Sequence, residues 1–167
     1  FLPMRLLALM LVVGLLTWMP ALGQSRVLNE QTLAHLEGVD VVVEDLDEDT
    51  ERHGLTNNAI ETDVELALRR SGIKVYSNEE QLDSPSMAYL YVQVNAFGNS
   101  NGLYAFHVHI SVNQVVYLTT GDYTYAQTYS PPGRFGTTGA ANLRDVRGFV
   151  KDLVNKFIND WLKVHQE

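Results

Sequence analysis

A period-two alternation of apolar and polar side chains runs through residues 88 to 129 and constrains the fold more than any other feature of the sequence. It predicts three strands, Ala88 to Phe97, Leu103 to Leu118 and Tyr123 to Tyr129, because successive side chains of a strand point to opposite faces of a sheet. The short segments between them are rich in Gly, Asn, Thr and Asp, which is typical of hairpin turns. We therefore expect an antiparallel meander with one apolar face and one more polar face.

Two amphipathic helices flank this meander. The first is predicted to begin after an N-cap at Thr56 and to end before Gly72, and the second to run from about Leu143 to His165. A strand from Val39 to Asp45 and another that begins at Ile73 enclose the first helix in the sequence. The expected fold class is α+β: a two-layer sandwich with a mixed, mainly antiparallel sheet of about five strands, in the order β-α-β-β-β-β-α, and two helices on one face.

Three connections are predicted to lack regular structure. They are the acidic turn region from Asp45 to Glu51, the polar connection from Asn78 to Ser86, and the segment from Ser130 to Ala141, which is rich in Pro, Gly and Thr.

The N-terminal residues predict an export signal. A basic start at Met4 and Arg5 precedes an apolar run from Leu6 to Trp18, and small residues at Ala21 and Gly23 favour cleavage after Gly23. The apolar run is shorter than the roughly 20 residues of a membrane-spanning helix. We therefore interpret residues 1–23 as a bacterial signal peptide, with residues 1–3 an upstream artefact, and residues 24–167 as one exported domain. The expected location is the periplasm or the exterior of the cell.

The amino-acid composition excludes or disfavours several classes of function. The sequence contains no cysteine, which excludes a disulfide scaffold, a thiolate metal site and a cysteine nucleophile. A lipid anchor on an N-terminal cysteine is not expected either, and no second apolar span follows the signal. The formal net charge of −8 disfavours binding to nucleic acid.

The segment from Leu55 to Val75 carries a helix-to-strand signature that ends on Leu-Arg-x-x-Gly-Ile-x-Val at residues 68 to 75. This signature and the order of elements resemble small bacterial secreted proteins similar to the N-terminal domain of TolB and to PelC and LpoB. The resemblance implies a β-α-β-β-β-α module of the bacterial periplasm, permits self-association and supplies no catalytic residue. PelC and LpoB are lipoproteins, whereas this sequence has no cysteine for such an anchor.

Two groups of residues are candidate metal ligands. His107 and His109 lie two apart on one strand and therefore point to the same face, where they could hold Zn²⁺ or Cu²⁺ with a third ligand. The acidic loop at residues 45–51 could bind Ca²⁺ through carboxylate oxygens, although it lacks the EF-hand pattern. The alternative for both is structural: polar residues on an open sheet face, and a solvated acidic loop. We expect no cofactor.

The tyrosines suggest an interface instead. Aromatic side chains on an otherwise polar sheet face are typical anchors of protein interfaces, and ordinary cross-strand packing is the alternative. The candidate interface residues are Tyr89, Tyr91, Tyr123, Tyr125, Tyr129, Arg134 and Phe135.

No nucleophile elbow, phosphate loop or catalytic constellation occurs in the sequence, so we expect a protein that is not an enzyme. The favoured hypothesis is an accessory module of the cell envelope that binds a protein partner or a second copy of itself. The alternative hypothesis is a small ligand- or metal-binding protein that uses the His107/His109 face or the acidic loop.

Overall fold

The computed structural model describes residues 30–84 and 87–165. The predicted signal peptide, its cleavage after Gly23 and the interpretation of residues 1–3 lie outside these residues. Within them, the strands are β1 (Gly38–Val43), β2 (Lys74–Val75), β3 (Tyr89–Gly98), β4 (Leu103–Tyr117), β5 (Tyr123–Tyr129) and β6 (Arg134–Gly139). The helices are α1 (Glu48–Arg52), α2 (Asn57–Arg70), α3 (Asn78–Asp83) and α4 (Arg147–His165), with a 3₁₀ helix at Ala140–Val146 before α4.

The six strands form one mixed, open sheet. Its order is β2-β1-β3-β4-β5, and β6 pairs with β4 beside β5. Strand β1 is parallel to both β2 and β3, whereas β4 is antiparallel to β3, β5 and β6. The α+β class predicted from the alternating pattern is therefore confirmed, with six strands where about five were expected.

The core lies between the sheet and the helices α2 and α4. The even-numbered residues of β3 and of the first half of β4 point into it, and α2 contributes Ile60, Val64 and Leu68. Phe157 of α4 is fully buried and packs against Tyr129 of β5, with the ring centroids 5.7 Å apart. Burial of such side chains is the main favourable contribution to folding, at about 1.5–3 kcal/mol each. It also fixes which face of the sheet remains open.

The predicted ends of the first helix are confirmed. The side chain of Thr56 accepts a hydrogen bond from the Ala59 amide at 3.4 Å and caps the N-terminus of α2. Gly72 follows the helix with a φ of +82°, a conformation that costs a side-chain-bearing residue about 1 kcal/mol or more. The Ile73 amide then donates to the Leu68 carbonyl at 3.1 Å, and Ile73 is buried against the last turn.

All three predicted irregular connections contain regular structure. The acidic turn region includes α1, which Asp47 caps by accepting from the Thr50 amide at 2.9 Å. The polar connection includes α3, which begins with a capping box between Ser77 and Glu80. The third segment forms β6 and the 3₁₀ helix, because β4 is 15 residues long and its outer edge accommodates two consecutive partners.

Candidate functional site: the open sheet face

The sheet face turned away from α2 and α4 is exposed, and we call it the open face. Strands β3, β4 and β5, which form most of it, contain no Asp, Glu, Lys or Arg. Interface cores are depleted of charge in the same way, whereas an ordinary solvated sheet face carries charged side chains. The three strands β3, β4 and β5 thus share the low charge of interface cores. Asp40 of the adjacent strand β1 pairs with Tyr89 and lines a hollow of this face together with Tyr89, Tyr91 and Tyr125.

Aromatic side chains protrude from the open face at both ends. Phe97 and Phe135 are 73% and 78% exposed at one end, and Tyr117 and Tyr123 are 79% and 70% exposed at the other. Tyr117 and Tyr123 are paired residues of β4 and β5, with ring centroids 6.2 Å apart. Exposure of this extent on large apolar side chains is typical of a surface that binds a partner.

Three further tyrosines of the predicted interface lie between these ends. Tyr89 and Tyr91 are half-buried on β3, and Tyr125 of β5 packs against Tyr89 with the ring centroids 5.7 Å apart. The Tyr125 hydroxyl lies 3.7 Å from the sulfur of Met87. Burial, and then the nearby Glu44 carboxylate, raise the pKa of Tyr91, so its hydroxyl stays protonated at neutral pH. The sheet thus brings together all the predicted interface tyrosines but one.

The exception is Tyr129, which points to the opposite face. It is 2% exposed, and its hydroxyl donates to Asp160 of α4 at 2.8 Å. The cause is a bulge between Val112 and Asn113 of β4, which shifts the register of β5 by one residue. An extra residue reverses the alternation, so Tyr129 joins the core although it has the same parity as Tyr125. Its assignment to the interface was wrong.

Arg134 and Phe135 were predicted to extend one surface, and only Phe135 does so. Phe135 pairs with His107 and stacks on its ring at 4.2 Å between centroids. Arg134 pairs with Val108, whose side chain points into the core, so Arg134 lies on the other side of β6. The reason is that these residues are consecutive in a strand rather than in a loop.

His107 and His109 lie on the open face as predicted, with nearly parallel rings 6.1 Å apart. A Cβ atom on Gly133 would lie 2.7 Å from Nε2 of His107, so this nitrogen faces the backbone at Gly133. Burial, and then the neighbouring His107, lower the pKa of His109. Within residues 30–84 and 87–165, no three His, Cys, Asp or Glu side chains form a group that could hold a metal ion. His107 contacts the rings of both His109 and Phe135 on this face.

The acidic segment proposed as a calcium loop has a structural use for its carboxylates. Asp47 caps α1, and Asp45 lies 3.3 Å from the side-chain amide of Asn57. Asp49 accepts hydrogen bonds from Arg52 at 3.0 Å and from the hydroxyl of Tyr104. Each of these three carboxylates thus has a hydrogen-bond partner within the protein.

Tyr104, Asp49 and His53 form a polar cluster that the sequence did not indicate. The Tyr104 hydroxyl lies 3.2 Å from Nδ1 of His53, and the two rings meet edge to face at 5.4 Å. The hydrogen bond to Asp49 raises the pKa of Tyr104 and lowers that of Asp49, so the phenol stays protonated and the carboxylate ionised. The cluster attaches α1 to the end of β4. Asp49 and Tyr104 are 55 positions apart in the sequence, so no local pattern predicts this contact.

Comparisons with known proteins leave the function open. No family model and no curated protein matches the sequence. Among solved structures, the chain is similar to a minor lipoprotein from Acinetobacter baumannii, with a TM-score of 0.32 and 9% sequence identity; the match covers 74% of this chain and 89% of that one. In the part of the chain that the structure describes, no helix is both long and apolar enough to cross a membrane.

Proposed function

We propose that this protein is a non-catalytic accessory module of the bacterial cell envelope that docks a protein on its open face. The observation that carries the proposal is the combination of three strands without a formal charge and four aromatic side chains at least 70% exposed. In this proposal the cluster of Asp49, His53 and Tyr104 is a structural contact of α1 and not an acid–base site. The raised pKa values of Tyr91 and Tyr104 keep both hydroxyls protonated.

A second copy of the chain is the occupant that we propose. The ten residues of β3 span about 34 Å, and four neighbouring strands span about 19 Å, which gives a face of roughly 650 Å². Two such faces would bury roughly 1,300 Å², within the range of stable interfaces. Two molecules of net charge −8 repel each other, and contact centred on β3, β4 and β5, which contain no carboxylate, reduces this repulsion, with Asp40 of β1 beside them.

Native mass spectrometry of the purified protein tests this assignment, with the double variant Tyr117→Ser/Phe135→Ser. Both side chains are more than three-quarters exposed, so their removal should leave folding intact. In a two-fold symmetric dimer both subunits contribute the same surface, so each substitution would occur twice in the interface. We expect a dimer for the unchanged protein and a monomer for the variant at the same concentration. Leu66→Ser, which removes a 43% exposed side chain from α2, is the matched control and should remain dimeric.

Two results would contradict the proposal in different ways. A monomer at every concentration up to about 100 μM would exclude the second copy as occupant, because a functional homodimer needs micromolar affinity or better. A dimer that survives both substitutions would place the contact elsewhere than the open face. The same spectra report bound small molecules, which would favour the ligand-binding alternative.

The envelope location is tested separately. We expect the protein, expressed from its full sequence in a bacterium, to appear in the periplasmic or secreted fraction with Gln24 as its first residue. Retention in the cytoplasm at full mass would contradict this part of the proposal and leave the interface untouched.

A further inference from the structure

A groove runs between α2 and α4, on the side of the molecule opposite the open face. Its volume is about 170 Å³, and its floor is formed by Ile60 and Val64 of α2 and by Val150 and Val154 of α4. These four side chains are at most 2% exposed. Leu66, which also lines the groove, is 43% exposed. The apolar surface that a ligand can reach without rearrangement of the core is therefore that of Leu66 and of the half-buried Ala67.

The rim of this groove is cationic, although the protein is acidic. Arg70, Arg147 and Lys151 line it, and Asp63 is the carboxylate among the lining residues. Arg147 donates to Asp63 Oδ2 through Nε at 2.9 Å and through Nη2 at 2.6 Å, which fixes the position of its guanidinium group. No ion pair joins Arg70 or Lys151 to a carboxylate of the described residues. The groove thus carries a net positive charge on a chain of net charge −8.

We propose that this groove binds a single-chain amphiphile with an anionic head, such as a fatty-acid carboxylate. Leu66 and Ala67, above the buried floor, would contact the methylenes, and Arg70 and Lys151 would contact the head group. The groove is too small to enclose a helix, whose diameter with side chains is about 10 Å, so a slender chain fits it better than a peptide helix. This inference does not depend on the open face.

The test is a titration of the full-length protein with decanoate, below its micellar concentration, followed by amide NMR. We expect saturable shifts confined to α2 and α4. Decanol has the same chain without the charge, and acetate has the charge without the chain. Because both parts of the site should contribute, we expect decanol to bind at least tenfold more weakly than decanoate, and acetate to show no saturation.

Variants identify the groups that bind the head. Arg70→Gln/Lys151→Gln should weaken decanoate binding at least fivefold. Arg69→Gln is the matched control, since Arg69 is the neighbouring cation on α2 and is paired with Glu65 at 2.8 Å, and it should bind as the unchanged protein does. The proposal is overturned if decanol binds as well as decanoate, if the double variant binds unchanged, or if the shifts do not saturate. None of these results bears on dimer formation, which native mass spectrometry reports independently.

Discussion

Asp160 is the residue on which the contact between β5 and α4 depends most. It is 2% exposed, and it accepts hydrogen bonds from Tyr129 at 2.8 Å, from Lys163 at 3.0 Å and from Lys156. Burial alone would raise the pKa of Asp160, but the three hydrogen bonds outweigh it, so the pKa lies below its usual value. Burial, and then the hydrogen bond to Asp160, raise the pKa of Tyr129. Both groups therefore keep their ordinary protonation states at neutral pH.

Replacing this carboxylate should destabilise the protein in a pH-dependent way. We expect Asp160→Asn to lower the free energy of unfolding by about 2 kcal/mol at pH 7, because hydrogen bonds to a charged group are lost. Since the folded pKa is lowered, the contribution is present above the unfolded pKa and is lost as the pH falls through the folded value. Urea unfolding from pH 7 to 3 should thus show the difference shrinking below about pH 4. A difference that grows towards acid would contradict this account, and the exposed Asp152→Asn is the control.

Single residues also mark where prediction from the sequence reaches its limit. The alternation placed Tyr89, Tyr91 and Tyr125 correctly, because parity is preserved along an uninterrupted strand. It failed at Tyr129, because the bulge at Val112/Asn113 adds one residue that no local pattern reveals. Tyrosine itself does not indicate which face of the sheet it joins, since its ring can be exposed on the open face or buried in the core with a hydrogen-bond partner for the hydroxyl.

At the scale of elements, the sequence predicts features that depend on neighbouring residues, and it does not predict a strand that depends on a distant pairing partner. The cap at Thr56 and the glycine at position 72 lie within a residue or two of the ends of α2, so the sequence predicted both ends. Strand β6 depends on pairing with β4, about 30 residues away, and its Gly- and Thr-rich sequence resembles a loop. Gly136 has a specific function there, because a Cβ atom would lie 2.5 Å from the ring of Phe106.

The end of α2 provides a prediction with an internal control. We expect Gly72→Ala to destabilise the protein by about 1 kcal/mol, because the φ of +82° is unfavourable for alanine. Gly148 lies in α4 with open space around its Cβ position, and Gly148→Ala should stabilise by about 0.5–1 kcal/mol. Thermal or urea unfolding of the two variants measures both effects. Changes of the same sign would show that the backbone conformation at Gly72 does not govern the end of the helix.

For the whole molecule, the distribution of charge distinguishes two surfaces. The charged side chains lie on the helices, the connections and the strands β1, β2 and β6, while β3, β4 and β5 have none. The helix layer combines an apolar groove with unpaired cations, and the sheet layer combines exposed aromatics with neutral polar groups. Added salt should therefore weaken the binding of an anionic ligand in the groove, which relies on charge, and should not weaken a dimer formed through the open face.

This difference predicts how a dimer formed through the open face responds to ionic strength. Raising NaCl from 50 to 500 mM shortens the screening length from above to below about 10 Å. The dissociation constant of the dimer should nevertheless stay within about threefold, because a contact through β3, β4 and β5 has no ion pairs that salt could weaken. The direction should be towards tighter association, since salt screens the repulsion between two molecules of net charge −8. Sedimentation equilibrium measures both values. Tenfold weaker association at high salt would mean that ion pairs hold the dimer together. Strands β3, β4 and β5 have no charged side chains to form them, so the contact would then lie elsewhere.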